Sequence, residues 1–132
     1  METIEAAAAT GPDHFTSELE RTAATYGYRR GRPHPRLRTP LIQPPGWDDL
    51  ALAASVRVHL EIPQAALAVA MRRHPSDVSA WECGRVKAIT QKMLFAYVAA
   101  LDQAIDALEE REARVTGKVR ELASIANQAP DP

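Results

Sequence analysis

Cysteine is nearly absent from this sequence: Cys83 stands alone among 132 residues, so no internal disulfide can form. A lone cysteine fits a reducing compartment. Aromatic residues make up only 5% of the chain, and the abundant alanine favours closely packed small helices. No apolar run reaches about 18 residues, so no membrane-spanning helix is expected. No basic stretch followed by an apolar one opens the chain, so no signal peptide is expected, and the expected location is the cytoplasm of a bacterial cell. The four histidines (His14, His34, His59 and His74) are scattered, and none pairs with Cys83 at metal-ligand spacing. There is no nucleophile–base set, phosphate-binding glycine loop or carboxylate cluster. The chain is therefore not expected to be an enzyme or to take a metal, a cofactor or a small-molecule ligand.

Charge of either sign is also missing in net terms, since the formal total is −1. Its distribution is uneven. Residues 1–20 carry five acids and no Lys or Arg, whereas residues 21–40 carry six Arg and no acid. A second basic block, residues 71–95, holds five bases against two acids. A polyanion would feel these local blocks, not the total.

Proline and glycine divide the chain. Residues 1–12 are acidic and small, and read as disordered. Asp13 can cap a short helix to about Tyr26, with Phe15, Leu19, Ala23 and Tyr26 on one side. Residues 27–47 hold three Gly and five Pro and read as an extended basic arm, reaching roughly 3 Å per residue. Trp47-Asp48-Asp49 opens a helix whose Leu52, Val56 and Leu60 form a buried stripe ending before Pro63. Pro63-Gln64 opens a second helix, with Ala65, Leu67, Ala68 and Met71 apolar. His74-Pro75 opens a third, with Val78 and Trp81 inward, and Gly84 suits its left-handed end. A long helix follows from about Thr90. The resulting divisions are 1–26, an acidic segment with one short helix; 27–47, the arm; 48–100, a three-helix unit; 101–126, a C-terminal helix; and 127–132, a tail.

Three short helices with a tight turn between the second and third suggest a helix-turn-helix. The pattern Gln64-x-x-Leu67-Ala68, nine residues, then Val78-Ser79-x-Trp81-Glu82-x-Gly84-Arg85 closely resembles the Cro-type phage repressors, the xenobiotic-response-element family. The likeness covers roughly residues 50–100. It implies an all-α fold: a lambda-repressor-like helix-turn-helix domain with a long C-terminal helix and the extended N-terminal arm. It also implies that Gln64 binds a DNA phosphate, aided by its helix N-terminus. Glu82 resembles the family's buried acid, whose partner is an Arg seven residues before the Gln; here that is Arg57. The residues that would meet base edges are Pro75, Ser76, Asp77, Ser79 and Ala80. They include no Arg, Gln or Asn for bidentate readout. Arg72, Arg73, Arg85 and Lys87 flank this face and suit phosphates, and Arg73 or His74 can also reach a base. The family usually has Gly where this chain has Arg72.

Two further patterns extend the reading. Arg29-Arg30-Gly31-Arg32-Pro33 resembles an AT-hook, which lies extended in an A·T-rich minor groove; with Arg36 it gives an AT-hook-like arm spanning 29–38. Leu94, Val98, Leu101, Ile105, Leu108, Glu112, Val115, Val119, Leu122 and Ala126 step alternately by four and three. This is a coiled-coil seam interrupted by one charge, with Gly117 as a weak point. It serves a homodimer, or folds back on the chain's own helices. The expected function is a sequence-specific, double-stranded DNA-binding transcriptional regulator, a repressor of bacteriophage-immunity type acting at an operator. The alternatives are an antitoxin that regulates its own synthesis, or an architectural DNA-binding protein like a small terminase subunit.

Overall fold

The computed structural model describes residues 12–128, whose regular elements are all helices. The expected disorder of residues 1–12 and the end of the 127–132 tail lie outside the described residues, apart from Pro12, Asn127 and Gln128. The elements are α1 (Pro12–Thr25), α2 (Trp47–His59), α3 (Gln64–Met71), α4 (Pro75–Glu82) and α5 (Gln91–Gln128). None of these helices is long and apolar enough to cross a membrane.

α2 is the hub. Every residue from Leu50 to Arg57 is buried, because α1, α4 and α5 all pack against it. Asp48 and Asp49 lie in its first turn and Arg57 and His59 in its last, which matches the helix dipole at both ends. α3 packs on α4 and α5. Leu19 and Ala23 bring α1 into the same core, and Phe15 meets Phe95 of α5 edge to face at 4.6 Å. Thr90 caps α5, its Oγ1 accepting the Met93 amide at 3.1 Å.

Four helices end in the same closure. The amide of Tyr28, Ile62, Arg73 or Arg85 reaches back five residues to the carbonyl of Ala23, Arg57, Ala68 or Ala80, at 2.8–3.1 Å. Each closure needs a left-handed residue just past the helix. Gly84 meets this at φ 71°, and a Cβ there would lie 2.7 Å from Pro40 Cγ, so only glycine fits. At the corresponding places Glu61 (φ 58°) and Arg72 (φ 57°) carry side chains into that region. The conformation costs a side-chain-bearing residue about 1 kcal/mol. Arg72→Gly should therefore raise stability by about that amount. The check is the urea midpoint of unfolding; an unchanged or lower midpoint would show that the Arg72 side chain returns the energy through contacts of its own.

Two features differ from the sequence-based expectations. The Pro/Gly-rich segment 27–47 is not an extended arm but is folded onto the core. Tyr28 Oη bonds His59 Nδ1 at 2.9 Å, the His34 amide donates to Ser55 Oγ at 2.9 Å, and Leu37 and Pro44 are buried. The composition correctly excludes a helix, but it does not say where the non-helical chain lies. Nor does the division between residues 100 and 101 correspond to a break. α5 runs through it and through Gly117, with Ala100 and Leu101 both in the core.

Candidate functional site

Residues Arg72 to Ala80 form the connection from α3 to α4 and the first turns of α4. Pro75 occupies the first position of α4, where its missing amide hydrogen is no loss. His74 precedes it as the cap: its Nδ1 accepts the Ser76 amide at 3.1 Å and lies 2.8 Å from Ser76 Oγ. Arg72, Arg73, His74, Pro75 and Ser76 are exposed; Asp77, Ser79 and Ala80 are half-buried. The Arg73 guanidinium sits 5.1 Å from the Trp81 ring centre and 4.0 Å from Asp77. Arg85 Nη2 reaches Ser79 Oγ at 3.4 Å. The polar face of α4 is thus bracketed by a cation at each end, and Lys87 is exposed just beyond.

Beneath this face lies a buried ionic lock. Arg57 of α2 meets Glu82 of α4 through two parallel hydrogen bonds, Nε to Oε2 at 2.8 Å and Nη2 to Oε1 at 2.6 Å. The pairing that the family resemblance implies is present, and it is larger than a pair. Arg57 Nη1 donates to the Ile62 carbonyl at 2.8 Å, Gln64 Nε2 to Glu82 Oε1 at 2.9 Å, and Tyr97 Oη to Glu82 Oε2 at 2.6 Å. Trp47 Nε1 adds a bond to the Glu82 backbone carbonyl at 3.0 Å. No buried side-chain nitrogen or oxygen among the described residues lacks a partner. Burial works against the Arg57 charge, but the bonds and field of Glu82 outweigh it and hold the guanidinium above its ordinary range.

Gln64, expected to contact a phosphate, here gives its side-chain amide to Glu82. Tyr97 was not singled out in the sequence. It sits one residue before Val98 in the four-and-three stepping, so the seam passes over it. Burial, followed by the nearby Glu82 charge, pushes its hydroxyl well above the usual tyrosine range. The folded protein therefore keeps this proton where an unfolded tyrosine releases it. Its stabilising contribution is complete below about pH 10 and is lost as the pH rises from there, at up to about 1.4 kcal/mol per pH unit. Tyr97→Phe should be less stable by about 1.5–3 kcal/mol near neutrality. It should also have a flatter decline in alkali. Urea midpoints of both proteins between about pH 8 and 11 check this; parallel curves would contradict it.

The basic segment 29–38 divides in two. Arg29 and Arg32 exchange backbone hydrogen bonds at 3.2 and 2.8 Å, closing a tight turn over Arg30-Gly31. The Arg-Gly-Arg-Pro stretch is therefore bent, not extended. Arg30 is bound to Glu20 at 2.7 Å and to Asp49, which neutralise it; burial opposes its charge, but these partners raise its pKa. Arg29 is exposed beside α1 and the start of α2, apart from the α4 face, and Arg32 is exposed. Arg36 and Arg38 are different: they line a depression shared with Val58, Gln64 and Cys83, at the start of α3 and the end of α4. His34, whose Nδ1 accepts the Arg36 amide at 3.0 Å, has its pKa lowered, by burial first and then by Arg36.

No family model, curated protein or solved structure matches this chain.

Proposed function

We propose that this protein is a sequence-specific, double-stranded DNA-binding regulator of repressor type, a lambda-repressor-like helix-turn-helix protein acting in the bacterial cytoplasm. α3 and α4 are its helix-turn-helix, and the exposed face of α4 enters the major groove. The observation that carries this reading is the Arg57–Glu82 lock. It ties α2 to α4 from beneath and leaves Pro75 and Ser76 exposed and Asp77, Ser79 and Ala80 half-buried on the outer side of α4, flanked by Arg72, Arg73, Arg85 and Lys87. Ser76 and Ser79 can bond several bases, Asp77 can accept from cytosine, and Pro75 or Ala80 can touch a thymine methyl. The flanking cations take phosphates and set the register. Arg36 and Arg38, adjoining the start of α3, extend the phosphate contacts.

Minor-groove reading by the 29–38 segment would require opening the Arg29–Arg32 turn and breaking both Arg30 ion pairs. The exposed cations of the segment are therefore assigned to the phosphate backbone. A repressor built this way acts by occupying its operator and excluding polymerase. The test is selection of bound duplexes from a random library by the full chain at low salt. An enriched motif supports sequence-specific binding; no enrichment would sink the reading.

A further inference from the structure

The loop that leads from the basic segment into α2 carries a bare aliphatic tip. Leu41 is 106% exposed and Ile42 87%, more than any other large apolar residue among the described ones. Neither side chain contributes to the core, so folding does not account for them. The tip is nevertheless held in place. Pro40 and Pro44, on either side of it, both lie against Gly84 at the end of α4: a Cβ on Gly84 would meet Pro40 Cγ at 2.7 Å and Pro44 Cδ at 3.2 Å. Pro44 is buried, and its carbonyl accepts the Trp47 amide at 3.0 Å. The Pro45 carbonyl accepts the Ile89 amide at 2.7 Å. Three prolines therefore restrict the backbone around two side chains that touch nothing. The same contacts join two acid-free stretches. Residues 33–46 carry Arg36 and Arg38, residues 83–90 carry Arg85 and Lys87, and neither stretch has an Asp or Glu. All four cations are exposed. Asp48 shares a small cleft with Thr39 and Gln43, but Arg29 and Arg30 line that cleft too.

We propose that Leu41 and Ile42 form a wedge that enters the minor groove beside the site held by α4, inserts between two stacked base pairs and bends the duplex. The inference rests on the DNA-binding reading and adds to it an element that works without hydrogen bonds. An aliphatic pair set among cations of one sign suits a partner that is a polyanion outside and apolar between its stacked bases. The reach is sufficient. Leu41 follows Arg38 by three residues, so their backbones lie within about 10 Å of each other. A minor groove is only about 6 Å wide, so a phosphate held by Arg38 borders a groove that the tip can enter. The Arg29–Arg32 turn stays closed and takes no part. Because the wedge makes no polar contact, it selects a step by how easily it unstacks, which favours TA and CA/TG. It thereby supplies discrimination that the face of α4, without Arg, Gln or Asn, has little means to provide.

Energy transfer between dyes at the two ends of a duplex of about 30 base pairs, enriched from a random library by the full chain, tests this. The full chain should bend that duplex by at least about 20°. Leu41→Ser with Ile42→Ser should abolish the bend, weaken binding about tenfold and erase the preference for TA or CA at the flanking step. Its urea midpoint should match that of the parent, since both side chains are fully exposed. Leu41→Met with Ile42→Met should keep the bend, because methionine also serves as a wedge. A straight bound duplex, or a bend that the serine variant retains, would overturn the wedge and leave DNA binding standing. Failure to bind any duplex would remove both. Binding to phosphatidylserine vesicles that the serine variant loses, together with a straight duplex, would assign the tip to a lipid surface instead.

Discussion

Glu82→Ala should destabilise the fold by about 3–5 kcal/mol, a large share of the 5–15 kcal/mol that holds a domain of this size together. The loss has several parts. Arg57 would keep its charge in a buried site with only the Ile62 carbonyl as acceptor. Gln64 Nε2 and Tyr97 Oη would each lose the carboxylate they bond. Removing the whole pair should cost less. Arg57→Met combined with Glu82→Leu replaces two charges with apolar groups of similar size, and exchanges of that kind are often close to neutral. Here recovery should be incomplete, because the Tyr97 hydroxyl and the Ile62 carbonyl still lose their partners. Urea unfolding followed at the helical circular dichroism band separates the three proteins. A loss under about 1 kcal/mol for Glu82→Ala would mean that water enters and replaces the carboxylate.

The second large effect concerns affinity. Arg36→Ala with Arg38→Ala should weaken binding to every duplex alike, by about tenfold per residue at low salt. The dependence of log affinity on log salt should become shallower by about 1.8, since each phosphate contact contributes about 0.9. Both side chains are exposed, so the urea midpoint should barely move. Uniform loss across sequences marks a phosphate contact, whereas loss confined to A·T-flanked sites would restore the minor-groove role for this segment. An unchanged salt slope would remove the 36–38 stretch from the interface altogether.

Much of this architecture is legible in the sequence, and the reasons are local. Pro63 and Pro75 can only open helices, Gly84 can only close one, and Thr90 caps the last; these four residues fix α3, α4 and the start of α5. The Arg57–Glu82 pair was legible through the family resemblance, in which a buried acid at the position of Glu82 pairs with an Arg seven residues before Gln64. What could not be read is long-range. Arg30 has no acid nearby in sequence, and its partners Glu20 and Asp49 come from two different helices. The buried Ser55 gives no sign that it will accept the His34 amide. The stepping from Leu94 to Ala126 is the same whether a helix packs inside its own chain or against another. Only the extent of α2 and α3 decides that cover ends near Leu108. The left-handed Arg72 was visible only as a residue out of keeping with the glycine usual in the resembling family.

The unbroken course of α5 has a consequence for how the molecule tolerates change in length. Tyr97, which reaches the ionic lock, and Leu122, at the exposed end, belong to one rigid rotor. Each added or deleted residue between Leu108 and Val115 would turn the exposed Val115, Val119, Leu122 and Ile125 by about 100° relative to the core. An insertion of seven would restore their phase, whereas an insertion of two would point them to the opposite side. A change of length in this stretch of α5 is therefore also a change of helical phase.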